Sequence, residues 1–426
     1  MNQRENSLDG TPGGVVVQKY GGSSVAGPEK IRAVAERIMR TRAAGHAVCV
    51  VVSAMGDTTD ELLASAKRLS TNPARRELDM LLSAGERISM ALLCIAIREL
   101  GGDAISFTGS QSGIITNDRH SDARIIEVRP FRVQDELARG TIVVVAGYQG
   151  VSYKKEVTTL GRGGSDTTAV AMAAALGAEW CEICSDVDGV YSADPRVVPA
   201  ARRIDELSYE ETQEMAEGGA RVLNAQAVEF AKEKNIAIYA RATAQSPPEG
   251  SGPVDGTVVR RFAPRPPGSV AAVVSEREVL VLHAEGVPAL AVLRWLEARG
   301  ICGKQLHSTG FASEGPGSEG LTVVLSQENI HEEPAALRAA LNQGGFGGQV
   351  SLLDHLGAVS AIGAGINTSY RNVLSGTDCL TGAGLASRGV ATSSFRITWL
   401  TPREQLNAAV RALHGHFLEQ TAPPVP

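Results

Sequence analysis

The stretch VVVQKYGGSSV, residues 15–25, runs through valines to a lysine, Lys19, and then breaks into Gly21, Gly22 and a pair of serines. A continuous β-branched run reads as a buried strand, and a Gly-Gly pair after it reads as a turn. The next residues, PEKIRAVAERIMRTRAAG, place Ile31, Val34, Ala35, Ile38 and Met39 at helical spacing, with Pro28 at the entry and Gly45 past the end. A second apolar strand, AVCVVVSA, comes next. The order continues with a helical run, ELDMLLSAGERISMALLCIAIREL, a short strand, DAISF, and a strand as apolar as the second, GTIVVVAGYQG. Beyond these, GRGGSDTTAVAMAAALGA is a glycine-rich turn opening a small-residue helix, EWCEICSD is a strand running into a loop, and AQAVEFAKEKNIAIYAR is a helix feeding a strand. Unbroken Val/Ile strands separated by helices specify an α/β domain: a mainly parallel sheet sandwiched by helices.

Near residues 246–268 the chain turns rich in Pro and Gly, as at a domain boundary. The C-terminal remainder reads strand, helix, strand, helix, and then repeats that order less cleanly: two small α+β units of a kind that commonly pair. The expected organisation is a loose tail at 1–13, a first domain at 14–245, a linker at 246–270, and α+β units at 271–348 and 349–420, with intertwining of the two allowed. At 426 residues the chain exceeds one core. Its aromatic content of 4% and net charge of −6 disfavour a nucleic-acid partner. No signal peptide is read at the N-terminus, and no apolar run is read as reaching the roughly 18 residues of a membrane span. A cytoplasmic protein without a membrane partner is expected. The CxxC pair, Cys181 and Cys184, has no companion pair at metal-site spacing and reads as buried thiols on a strand.

Four stretches carry chemistry. In KYGGSS, glycines at a strand end let backbone amides approach an anion while Lys19 adds a point charge, although such a turn is more often only a turn. GxxxxGK[ST] occurs nowhere, so this is no Walker A loop. In GRGGSDTT, Arg162 sits among glycines, and Ser165 and Asp166 fall where a helix N-terminus points free N–H groups outward. A capped helix accounts for the serine and aspartate but not for the arginine. SDVDGVYSADPR contributes Asp186, Asp188 and Asp194 without the closing Glu of an EF-hand. SAGERIS sets Glu86 and Arg87 among small and apolar positions.

Together with VVVSAMGDTTDELL, SFTGSQSGIIT and VVVAGYQGV, these stretches closely resemble the aspartate kinases (aspartokinases) of the amino-acid kinase fold over roughly residues 14–245. The C-terminal half is similar in layout, more weakly, to that family's tandem ACT (ferredoxin-like) regulatory domains. The resemblance implies ATP- and Mg²⁺-dependent phosphorylation of the β-carboxylate of L-aspartate, the entry step toward lysine, threonine and methionine. It implies catalytic roles for Lys19 and Asp166, with Asp166 holding the lysine. Tyr20, Gly21, Gly22, Ser23, Ser185, Asp186, Tyr191, Ser192, Ala193, Asp194, Pro195, Arg196 and Arg221 would join Lys19 around ATP. Ser53, Thr59, Glu86, Arg162, Gly163, Gly164 and Ser165 would surround aspartate, with Glu86 on its ammonium and Arg162 on its α-carboxylate. No protein-only metal site is expected. A homo-oligomer and an amino-acid effector at the ACT-like units are expected partners.

The chain departs from the family where Arg221 replaces a lysine, where Asn224-Ala225 replaces a frequent His-Pro, and in the effector loops EGVPALAV and TSYRNV. Weak or absent feedback inhibition by lysine or threonine is the resulting expectation. Two rival readings are another amino-acid kinase acting on a different acceptor, such as glutamate or uridylate, and a non-catalytic amino-acid sensor. Glu86 and Arg162 speak against the first; retention of Lys19 and Asp166 speaks against the second.

Overall fold

Strand β1 (Gly13–Tyr20) is the first described element and lies in the middle of the principal sheet. The structure, a computed structural model, describes residues 13–161, 163–220, 223–244, 256–263, 265–309, 320–327, 330, 333–346 and 348–419. These fall into two compact units: residues 13–190 and 203–216 with the described part of 221–264 form the first, and residues 191–202 and 217–220 with the chain from 265 onward form the second.

In the first unit β1 is followed by α1 (Pro28–Ala43), β2 (His46–Val52), α2 (Thr58–Leu69), α3 (Arg75–Leu82), α4 (Ala84–Glu99) and β3 (Ala104–Phe107). Then come β4 (Ile114–Thr116), β5 (Ile125–Val128), α5 (Phe131–Ala138), β6 (Ile142–Ala146), β7 (Gln149–Ser152), β8 (Val157–Thr159) and α6 (Gly164–Leu176). β9 (Trp180–Ser185), β10 (Glu206–Ser208), α7 (Tyr209–Glu217), α8 (Ala225–Lys234), β11 (Ile238–Ala242) and β12 (Thr257–Arg260) complete it. Eight strands pair in the order β10-β12-β11-β9-β1-β2-β6-β3, and every pairing is parallel except β11 with β12. Val48, Val50 and Val52 pack under α1 and α4 in one core cluster, while the alternate residues Cys49 and Val51 are equally buried. Burial of both parities means that both faces are covered, as the valine runs require.

Three expectations need correction. The helical run 77–100 is broken at Ser83 into α3 and α4. GTIVVVAGYQG is two strands, because a Cβ on Gly147 would lie 2.7 Å from Ser165 Oγ and 2.9 Å from the Val52 carbonyl, and Tyr148 takes a left-handed φ of 66°. There the chain leaves the principal sheet and enters a four-stranded one, β5-β4-β7-β8. The stretch 246–270, read as a linker, includes β12, which pairs with β10 and β11. In addition, the stretch Arg75–Glu99 is long and apolar enough by composition to cross a membrane, but half of its most apolar 18 residues are buried, with Leu93 and Ile97 in the unit's core.

Beneath β1 the Glu182 carboxylate is held by Arg37 at 3.2 Å, Arg241 at 2.9 Å and the Gln18 amide at 2.9 Å. A carboxylate so deeply buried is tolerable only because both of its oxygens are met by cationic or polar donors. Asn224 caps α8, accepting from the backbone N–H groups of Gln226 at 2.9 Å and Ala227 at 3.2 Å. Asn224→Ala is therefore expected to destabilise the protein by about 1 kcal/mol, read as a small fall in Tm by circular dichroism.

The second unit runs β13 (Ala272–Glu285), α9 (Ala289–Ala298), β14 (Gln305–Thr309), β15 (Gly320–Ser326), α10 (Pro334–Gln343), β16 (Val350–Ile362), α11 (Arg371–Gly382), β17 (Gly389–Thr392), β18 (Arg396–Pro402) and α12 (Leu406–His414). The order β-α-β-β-α thus occurs twice, and the strands form a single sheet, β14-β15-β13-β16-β18-β17. The long central strands β13 and β16 pair antiparallel along their length, with register shifts between Glu276 and Val281. One half of each strand serves one ferredoxin-like repeat and the other half serves its neighbour, so the repeats are intertwined. Ala193 and Val198, from a segment assigned by sequence to the first domain, lie in the core of the second repeat beside Trp399 and Leu413. Packing rather than chain order draws this boundary.

Candidate active site

Lys19 is the penultimate residue of β1, in register with Val51 of β2 and Ile183 of β9. It therefore stands at the carboxyl ends of parallel strands, where open α/β sheets bind their ligands. Its ammonium lies 2.7 Å from Asp166 Oδ1, and the two side chains are 12% and 11% exposed. Asp166 is delivered by the first turn of α6, which Gly163 enters at a left-handed φ of 74°. A side chain at Gly163 would also strike Asn224, so the turn needs glycine twice over.

The turn after β1 is pressed against the loop after β2. A Cβ on Gly22 would lie 2.8 Å from the Ala54 carbonyl and 3.2 Å from that of Gly56, while Gly56 N donates to Gly22 O at 3.1 Å. Gly21 N donates to Cys184 O at 3.3 Å. The Tyr20 side chain is turned into the core and its carbonyl accepts from Ser53 N. Ser23 is exposed and its carbonyl accepts from Lys30, a second cation at this turn that sequence reading did not single out. Ser185, at the end of β9, is tied to the same turn: its carbonyl accepts from the Thr243 hydroxyl, which lies 2.7 Å from Ser24 Oγ. Asp186 beside it is exposed.

On its other side the 53–57 loop meets Glu86. Glu86 lies in the first turn of α4, is 3% exposed, and accepts from Ala54 N at 3.1 Å through Oε1. The neighbouring Gly85 makes this approach possible, since a Cβ there would lie 2.7 Å from that of Ala54. Burial pushes the Glu86 carboxyl up to about 7 and outweighs its backbone hydrogen bonds. Its Oε2 is buried without a hydrogen-bond partner among the described residues. A carboxyl with one oxygen bonded and one waiting suits a cationic ligand. Thr59, in the first turn of α2, and Ser53 are half-buried beside this loop. Ser165 is buried against Gly147, and Gly164 packs on Leu160 and Tyr148.

Arg162 and Arg221 lie outside the described residues. Tyr191, Ser192, Ala193, Asp194, Pro195 and Arg196 fold with the second unit. There Ser192 Oγ lies 2.9 Å from His414 Nε2, and Asp194 pairs with Arg196 at 2.8 Å, which holds the aspartate below the usual carboxylate range. Sequence reading did not single out Asp79, which is fully buried, or Tyr148, against which Gly164 packs. Their only signal was an acidic residue on the apolar face of ELDMLL and a tyrosine at a strand break.

Among the described residues no three His, Cys, Asp or Glu side chains form a metal cluster. Mg²⁺ bound mainly through substrate phosphates and water needs no such cage, so the donor set is compatible with it.

Residues 14–240 match the model of the amino acid kinase family. The chain is 44% identical over 418 residues to an aspartokinase of Mycolicibacterium smegmatis, covering 95% of this chain and 96% of that one. Among solved structures it superimposes on Escherichia coli aspartokinase III in complex with aspartate and ADP with a TM-score of 0.80, at 24% identity, covering 94% of this chain and 99% of that one. The same enzyme in complex with lysine and aspartate gives a TM-score of 0.71 at 25% identity, covering 95% and 99%.

Proposed function

The chain belongs to the amino acid kinase family and, within it, to the aspartokinases, and from that premise we propose that it transfers the terminal phosphoryl group of ATP to the β-carboxylate of L-aspartate. The product is 4-phospho-L-aspartate, at the entry to lysine, threonine and methionine synthesis. The observation that carries this reading is the 53–57 loop, gripped by Gly22 on one side and by Glu86 on the other, which couples an anion cradle to a buried carboxyl.

The acceptor carboxylate is ionised at neutral pH, with a pKa of about 3.9, so no general base is needed. Rate must come from positioning and from charge stabilisation. Lys19, oriented by Asp166, meets the phosphoryl oxygens, and the amide of Gly22 approaches them where no side chain intervenes. Ser185 and Asp186 bind the nucleotide at the neighbouring strand end. Glu86 accepts the substrate ammonium through its free Oε2, and Arg162 takes the α-carboxylate with its two-pronged guanidinium. Ser53, Thr59 and Ser165 orient the remainder. Mg²⁺ bound to the phosphates would spread their charge as the bond to the leaving oxygen breaks.

A hydroxylamine trap tests the proposal: ATP, Mg²⁺ and aspartate should yield aspartyl hydroxamate, and glutamate should yield none. Product from glutamate and none from aspartate would favour another amino-acid kinase, and product from neither would favour a sensor. The effector loops depart from the family pattern, so millimolar lysine, threonine, or both should change the initial rate by less than about twofold, under ~0.4 kcal/mol. Tenfold inhibition would overturn that expectation.

A further inference from the structure

Asp79, on α3, is fully buried, yet no part of the proposed chemistry uses it. A carboxylate in such a place must be compensated by donors, and the identity of those donors states what it holds. Its Oδ1 accepts from Thr159 Oγ1 at 2.6 Å and from Ser121 N at 3.0 Å, and its Oδ2 from His120 Nδ1 at 2.6 Å. Ser121 takes a left-handed φ of 68°, a conformation that a non-glycine residue keeps only when held.

All three donors bear on the start of the glycine turn. Thr159 ends β8, two residues before Gly161. Ala123 N donates to Thr159 O at 2.9 Å, and a Cβ on Gly161 would lie 3.2 Å from Asp122 Oδ1, so the 120–123 loop clasps the first residues of the turn. From the opposite side Tyr148 accepts from Leu160 N at 2.9 Å through its carbonyl, while its own N–H donates to Thr168 Oγ1 at 3.2 Å. The next residue, Gln149, donates through Nε2 to the carbonyl of Ser83 at 2.9 Å, and Ser83, the hinge between α3 and α4, donates its N–H to Asp79 O at 3.0 Å. Asp79 is therefore joined on one side, through Thr159, His120 and Ser121, to the loop that clasps the start of the glycine turn, and on the other, through Ser83, to the first turn of α4, which carries Glu86.

We propose that Asp79 is a positioning residue which, acting through Thr159, His120 and Ser121, sets the spacing between the Glu86 pocket and Gly161, where the glycine turn begins, and so the fit of the amino-acid substrate. The inference rests on the aspartate kinase reading. It separates aspartate binding from nucleotide binding, because Asp79, Thr159, His120 and Ser121 hydrogen-bond with neither Lys19 nor Gly22.

The decisive variant is Thr159→Val, which preserves volume and removes only the hydroxyl; Asp79→Asn is the companion, and Thr159→Ser the conservative control. Steady-state kinetics on the full chain should give a KM for aspartate raised about tenfold or more in Thr159→Val, as expected for loss of a hydrogen bond to a buried charge. The KM for ATP should stay within about twofold, and Thr159→Ser should return the aspartate KM to its original value. An aspartate KM unchanged in Thr159→Val would overturn the inference. So would equal rises in both KM values with a lowered Tm, which is the signature of a merely structural role. If the unmodified chain formed no aspartyl hydroxamate, the kinase reading itself would fall, and the inference with it; an active parent with an unshifted variant refutes the inference alone.

Discussion

Lys19→Ala is expected to lower kcat for aspartyl hydroxamate formation by about 10²–10³-fold, the usual cost of removing one preorganised donor from a developing anion. Lys19 stands at a strand end, nearly excluded from water, with its ammonium aimed by a carboxylate 2.7 Å away. A charge held in place there interacts more strongly than one in solvent, and it needs no reorganisation during the reaction. The variant leaves Asp166 without its cation, so a melt should accompany the assay, and Asp166→Asn offers a second view. With the lysine retained but no longer aimed, that variant should lose less activity than Lys19→Ala while keeping its fold. Retention of more than about a tenth of the parental kcat by Lys19→Ala, a loss under ~1.4 kcal/mol, would mean that the cradle is not where the phosphoryl group reacts.

Glu86→Gln should act on binding and on stability in opposite directions. On the proposed reading, in which Glu86 meets the substrate ammonium, loss of its charge is expected to raise the KM for aspartate about ten- to hundredfold, with little change in the KM for ATP. The stability effect comes from the raised carboxyl. Below pH 4.5 both folded and unfolded chains carry the proton, and the residue is neutral to folding. Between 4.5 and about 7 the unfolded chain ionises first, so the folded state loses stability as the pH rises; above 7 the penalty is constant. Its size is on the order of 2–4 kcal/mol. Glu86→Gln removes it, so the variant should melt higher than its parent at pH 8 and equally at pH 4. In the parent, kcat/KM for aspartate should climb through about pH 7 as the carboxylate ionises. A variant that binds aspartate normally, or that melts lower at pH 8, would remove Glu86 from the substrate pocket.

Much of the site could be read from residues because its parts are local. KYGGSS joins a strand end to a bare turn, and GRGGSDTT joins a turn to a helix start; chemistry on that scale depends on neighbours within a few residues. The segment VYSADPR was harder. Its motif is as distinct as the others, but Ala193 and Val198 are buried with Trp399 and Leu413, some two hundred residues away in the chain, and only packing reveals that. The break between β6 and β7 was hidden for a related reason. It answers to Ser165 and to the Val52 carbonyl rather than to its own residues.

The alternation of buried strands and helices in the first unit and the burial of its sheet on both faces were determined by the sequence alone, since periodicity acts over short stretches of chain. Three things were decided only in the tertiary structure: that Ala54 joins Gly22 to Glu86, that Glu86 is dehydrated enough to titrate near neutrality, and that Asp79 is enclosed by Thr159, His120 and Ser121. Each depends on removing water from between segments distant in sequence, and no local pattern of residues records where water is excluded.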